Sequence, residues 1–220
     1  MKIIKISSDF QEGAPQYKGA AVSCRVTNSV SDVKLWKEME LEFFLFHQTT
    51  AVEQINKRLP IAATRAAYKA FGKDPNRYRP SAEALCRRIV KEKSLYRIDT
   101  LVDLINLVSV HTGYSIGGFD EEKIQGDILE LGVGKAGEIF HGIGRGGLNI
   151  EGLPVFRDSQ GGIGTPTSDE ERTKITLGTT RLLTIINGYS GSDGLKDAVS
   201  YLNERLCCYA AAEDFECLYF

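Results

Sequence analysis

The spacing of apolar residues along this chain changes character near its middle, and each spacing predicts a different kind of element. At the N-terminus, KIIKI (residues 2–6) and AAVSCRV (20–26) are short apolar runs of strand length, with 13–19 as a loop between them. Over 32–46, Val33, Trp36, Met39 and Phe43 recur at spacings of three and four, which predicts a helix with Ser31 as its N-cap. A second helix is expected over 50–58. A third begins at Pro60 and runs to Phe71, where Gly72 supplies the stop.

The clearest helix follows Pro80. Ala82, Leu85, Cys86, Ile89 and Val90 form one apolar stripe, and Arg87, Arg88 and Lys91 fall on the opposite face. The next helix, over 99–112, is apolar around nearly its whole circumference, so it is expected to be buried on most sides. Asn106 sits in the middle of it. An amide there either bridges backbone in the core or faces a pocket, because leaving it unsatisfied costs about 1–3 kcal/mol. His111, at the end of the same helix, is expected to satisfy its C-terminal carbonyls.

Beyond Gly113 the pattern changes. Twelve of the 22 glycines lie between Gly126 and Gly164, among short apolar runs such as DILELGV and EIFHGI. That predicts short strands broken by turns. Residues 174–186 are rich in β-branched residues and should include a strand. A C-terminal helix is expected over 192–209, with FECLYF closing a sheet edge. The fold class is therefore α+β, with a β-rich core of short strands in the second half packed with helices from the first half. No repeat or linker divides the chain, so residues 1–220 read as one unit: strands plus helices in 1–75, a core in 76–190, and a helix and strand in 191–220.

Composition adds limits. Hydrophobic content of 42%, charged content of 25% and a formal charge of −2 give no global attraction to nucleic acid. Locally the balance differs. Between Arg77 and Arg97, seven basic residues face Glu83 and Glu92, so any phosphate contact is expected there. A basic run of this kind is also what a solvated face looks like. The five cysteines lack a CxxC pair and only three histidines are present, so neither a zinc site nor a disulfide framework is expected. No segment reaches membrane-spanning length and the N-terminal apolar run is too short for a secretory signal, which makes the cytoplasm the expected location.

Candidate chemistry is sparse. Gly142, Gly144 and Gly147 fit GxGxxG, but LNIEGLPVF after them reads as a hairpin rather than the helix a dinucleotide fold requires. No cofactor is therefore expected. There is no GxSxG elbow to mark a nucleophile. Asp120 is expected to cap a short helix over DEEKI, and Asp169, Glu170 and Glu171 to lie in a surface loop.

Four segments taken in order carry more information: RYRPSAEALCRR, VDLINLVSVHTGYSIGGFD, IQGDILELGVGKAGEIFHGI and SDEERTKITLGTTRLLTII. Together, over roughly residues 75–190, they resemble the editing domain of the phenylalanyl-tRNA synthetase β subunit, in its free-standing version. In the synthetase that domain hydrolyses tyrosine wrongly attached to phenylalanine tRNA, a second sieve after imperfect discrimination. The reaction is hydrolysis of an aminoacyl ester with a positioned water and no covalent nucleophile.

The resemblance implies that Asn106 is the pocket amide, that Gly117, Gly118 and Phe119 form the pocket floor, and that a substrate-contacting carboxylate lies at Glu170 or Glu171. It further implies that Arg79, Arg87, Arg88 and Lys91 meet phosphate. Two family groups are replaced here: a hydroxyl residue by Ile105, and a pocket histidine by Gly117, so that Gly117 and Gly118 are expected to widen the pocket. The expected partner is tRNA or aminoacyl-tRNA, with no membrane and no metal. Two functions follow: hydrolysis of mischarged aminoacyl-tRNA in trans, or a non-catalytic module binding an amino-acid-like ligand or a protein partner.

Overall fold

A computed structural model of the chain describes residues 1–220. In chain order the elements are β1 (Ile3–Ile6), α1 (Ser8–Gly13), β2 (Lys18–Arg25), α2 (Val33–Thr49), α3 (Val52–Ile55), α4 (Leu59–Ala70), α5 (Ser81–Val90), α6 (Thr100–Thr112), β3 (Ile116–Asp120), β4 (Ile128–Val133), β5 (His141–Gly142), β6 (Gly146–Gly147), β7 (Pro154–Asp158), β8 (Gly161–Gly164), β9 (Arg181–Gly188), α7 (Leu195–Ala210) and β10 (Glu213–Tyr219). The class is α+β.

One sheet runs β10-β2-β9-β3 with every pair antiparallel; the other runs β1-β4-β7-β8, with β1 parallel to β4. The period of two along a strand explains how they stack. Ala20, Val22 and Cys24 on β2, with Leu182 and Ile186 on β9, pack against α2, α5, α6 and α7. Their alternates Ala21, Leu183 and Ile185 pack on Leu129, Leu131 and Phe156 of the second sheet. The first sheet is thus buried on both faces, which is why β2 reads as an unbroken run of small and apolar residues.

Local chemistry sets the helix ends. Asp32, not Ser31, caps α2: its Oδ1 accepts from Lys34 N (2.7 Å) and Leu35 N (2.9 Å). Only Val52–Ile55 of 50–58 is helical, and the short α1, which buries Phe10, joins β1 to the loop before β2. Gly72, at φ +77°, ends α4 as expected. The last carbonyls of α6 are taken by Arg58, whose guanidinium donates to Val110 O (2.7 Å) and His111 O (2.6 Å). His111 does not serve them; it turns out to Glu42 (2.8 Å) and stacks on Tyr201. Asp120 caps a single 3-10 turn over Glu121–Lys123. In the 174–186 stretch the strand begins only at Arg181, and Ile175 before it is free to pack elsewhere.

Candidate functional site

Where α5, α6 and β3 meet the hairpin of β5 and β6 there is a cavity of about 240 Å³. Its wall is mostly apolar: Leu85 from α5, Val102 and Ile105 from α6, Ile116 from β3, and Ile143 and Ile175 from loops. Several of its polar groups are already engaged inside the protein. Ser109 Oγ donates to Tyr114 O (2.6 Å), Thr165 Oγ1 to Ser168 O (3.0 Å), and Ser168 Oγ to Asp169 O (3.3 Å). Asn106, Asp169 and the Ser81 hydroxyl are left to meet a ligand.

Asn106 lines the cavity, half-buried; the helix pattern alone left it either bridging backbone in the core or facing a pocket. Asp169 enters from the loop after β8 and is held by one hydrogen bond, from Gly118 N to its Oδ2 (3.1 Å). Burial in this apolar setting pushes its carboxyl up to about 7, against that single opposing hydrogen bond. A carboxyl that titrates near neutrality, inside a cavity, is the most chemically distinctive group in the wall.

The glycines do not enlarge the cavity. A Cβ on Gly118 would lie 2.5 Å from Ile105 Cδ1, and one on Gly117 would lie 2.7 Å from Phe119 Cζ. Their missing side chains are replaced by neighbours that close in. Gly118 lines the cavity, while Gly117 and Phe119 face the second core on the other side of β3. A side chain at position 117 would meet the Phe119 ring and the Asp169 carboxylate, whose Oδ1 would lie 3.3 Å from its Cβ.

The remaining candidates lie outside the cavity. Glu170 is buried at the start of a 3-10 turn, and Glu171 is exposed and paired with Lys174. The pocket carboxylate is their neighbour Asp169, which sequence reasoning left on the surface. Its signal was the acidic triplet itself, which does not say which member turns inward. The four cations separate into two groups. Arg87 Nε (2.7 Å) and Arg79 Nε (3.6 Å) both reach Glu83, whose buried carboxylate also takes Arg65 Nη1 (2.8 Å). Arg88 instead donates to Ser94 O (2.7 Å) and lies over the Tyr96 ring, while Lys91 is exposed.

The chain belongs to the B3/4 domain family, whose family model matches residues 63–212. That family is the editing-type domain of phenylalanyl-tRNA synthetase β subunits. Among solved structures, the chain is similar to an N-terminal fragment of the phenylalanyl-tRNA synthetase β subunit from Pyrococcus horikoshii, with 15% identity and a TM-score of 0.49. The match covers 97% of this chain and 50% of that one, so the chain spans half the length of the fragment. No curated protein matches. No helix is long and apolar enough to cross a membrane.

Proposed function

We propose that the cavity receives the aminoacyl group of a mischarged aminoacyl-tRNA and that the domain hydrolyses its ester bond in trans. The observation that carries this reading is the Asp169 carboxyl, ionising near neutral pH in a cavity half of whose lining residues are apolar and that Asn106 also lines. A cavity of about 240 Å³ suits a group of amino-acid size, since pockets for larger ligands start at about 300 Å³.

In this mechanism Asn106 orients the ester by hydrogen bonding. Asp169 takes a proton from the hydrolytic water as the water oxygen bonds to the carbonyl carbon. The carbon–oxygen bond to the ribose then breaks, and Asp169 returns the proton to the leaving ribose oxygen, which regenerates its carboxylate. The products are the free amino acid and uncharged tRNA. Arg79, Arg87, Arg88 and Lys91 supply positive charge for the tRNA, Arg87 chiefly through its field because Glu83 already holds its Nε. The place of action on this reading is the cytoplasm.

Deacylation of a panel of mischarged tRNAs, beginning with tyrosine on phenylalanine tRNA, tests the proposal. Hydrolysis of one member is expected, reduced at least about 100-fold in Asn106→Ala if the amide orients the ester. Binding should weaken steeply with salt, since phosphate contacts release counterions. The replacement of the family's hydroxyl and histidine by Ile105 and Gly117 favours a second reading, a non-catalytic module for an amino-acid-like ligand. A thermal shift with free amino acids, but no hydrolysis across the panel, would establish that reading instead.

A further inference from the structure

The cavity is too small for an aminoacyl group and the nucleoside that bears it, so the nucleoside must rest on the lip. Two exposed apolar residues flank the opening: Ile98 at 57% exposure and Ile143 at 42%, both also lining the cavity. Two residues before Ile98 stands Tyr96, whose ring is 69% exposed. The guanidinium of Arg88 lies 4.3 Å from its centroid, and a hydrogen bond from Arg88 Nε to Ser94 O (2.7 Å) fixes that guanidinium.

Helix geometry puts this pair on the cavity side. At about 100° per residue, Arg88 leaves α5 within roughly 20° of Ser81 and roughly 60° of Leu85, and both of those line the cavity. The intervening Arg97 turns the other way, to Trp36 (4.6 Å) and Glu40 (3.2 Å) on α2. Tyr96 is thus a large aromatic face left in solvent, braced by a cation, two residues from Ile98 in the cavity wall. A stable core would bury such a ring; a single-strand nucleic-acid site presents it, because a base stacks on the ring while the adjacent cation meets its phosphate.

We infer that Tyr96, with Arg88 beneath it, is the stacking platform for the terminal nucleoside of the ligand, so that the domain recognises a nucleoside ester rather than a free amino acid. This rests on the reading of the cavity as an aminoacyl site, and it commits that reading to the 3′ end of an RNA. Ile98 continues the platform into the cavity, and the exposed Lys91, immediately after the end of α5, adds charge for a second phosphate.

The test uses two probes, the unacylated trinucleotide CCA that ends tRNA, and a panel of amino-acid amides. Affinities are measured for the wild type, Tyr96→Ala and Tyr96→Phe. Stacking predicts that CCA binds the wild type and Tyr96→Phe alike and binds Tyr96→Ala about ten-fold more weakly or worse. Amide binding should be the same in all three. The inference is overturned if CCA does not bind the wild type, or binds Tyr96→Ala equally well. If CCA binding depends on Tyr96 while no amide binds and Asn106→Ala changes nothing, the platform stands and the aminoacyl reading of the cavity falls. Tyr96 is exposed enough that its truncation leaves the core untouched, and unchanged thermal unfolding of the variant checks this.

Discussion

Asp169→Asn is expected to yield a protein that is harder to unfold above pH 7 and that hydrolyses its substrate about 100-fold to 10,000-fold more slowly. The two effects share one cause. Burial holds the Asp169 carboxyl at about 7 instead of the ordinary 3.8, so the folded state binds a proton that the unfolded chain has released. The sign follows from proton linkage: between about pH 4 and pH 7 the native state carries more protons, so stability falls as pH rises. The full span of that loss is on the order of 4 kcal/mol, about three pKa units at 1.36 kcal/mol each. Below pH 4 the carboxyl is protonated in both states and contributes no difference.

Asparagine presents an oxygen to Gly118 N and never ionises. Its advantage over the wild type should therefore be absent at pH 4 and reach a Tm gain of roughly 8–16 °C at pH 8, at about 2–4 °C per kcal/mol for a domain of this size. Wild-type hydrolysis should rise with pH to a plateau above about pH 7, when the carboxylate becomes available as a base, and the variant should lose that rise. Thermal unfolding at pH 4, 6 and 8 beside initial deacylation rates reads both. Parallel Tm curves would show that the carboxyl ionises normally, and an active variant would show that the base lies elsewhere.

Elements whose stability comes from a local repeat could be read directly from the chain. The stripe of α5, the nearly all-apolar α6 and the apolar run of β2 each carry their own periodicity. What brings them together is not local. β1 pairs with β4 some 125 positions later (Ile3 with Ile128), and β10 pairs with β2 from the opposite end of the chain. No spacing in either strand encodes its partner. The site divides the same way. The helix fixes which neighbours Asn106 shares a face with, but not whether its amide bridges backbone in the core or faces a pocket. Asp169 was not legible, because its inward turn depends on Gly118 N, which β3 brings from fifty residues earlier. Arg79 and Arg87 read as a solvated basic face because the residue that draws them together, Glu83, looks like one more polar position until Arg65 arrives from α4.

That cluster gives the second large effect. Glu83→Gln should destabilise the protein by about 3–5 kcal/mol, the range for a buried pair broken from one side. The Glu83 side chain is 1% exposed, and its partners Arg65 and Arg87 are 14% and 21% exposed, so neither cation can recover its hydration without moving. The four groups go from a formal +2 to +3 with nothing between the guanidiniums but an amide. At roughly 2–4 °C per kcal/mol, the Tm should fall by about 6–20 °C. Salt separates this from a surface effect. Exposed pairs are screened, whereas buried ones are screened much less, so the difference between wild type and variant should persist from 50 to 500 mM salt. A loss of only about 1 kcal/mol that disappears at high salt would mean the cluster is a solvated ion network. The consequence reaches the cavity as well. Arg65 also donates to Pro75 O (3.2 Å) and to Asn76 Oδ1 (2.8 Å), which anchors the segment leading into Ser81 at the cavity wall. Freed from Glu83, that anchor shifts, and the variant that still folds should bind its ligand more weakly while Asp169 and its pH profile stay unchanged.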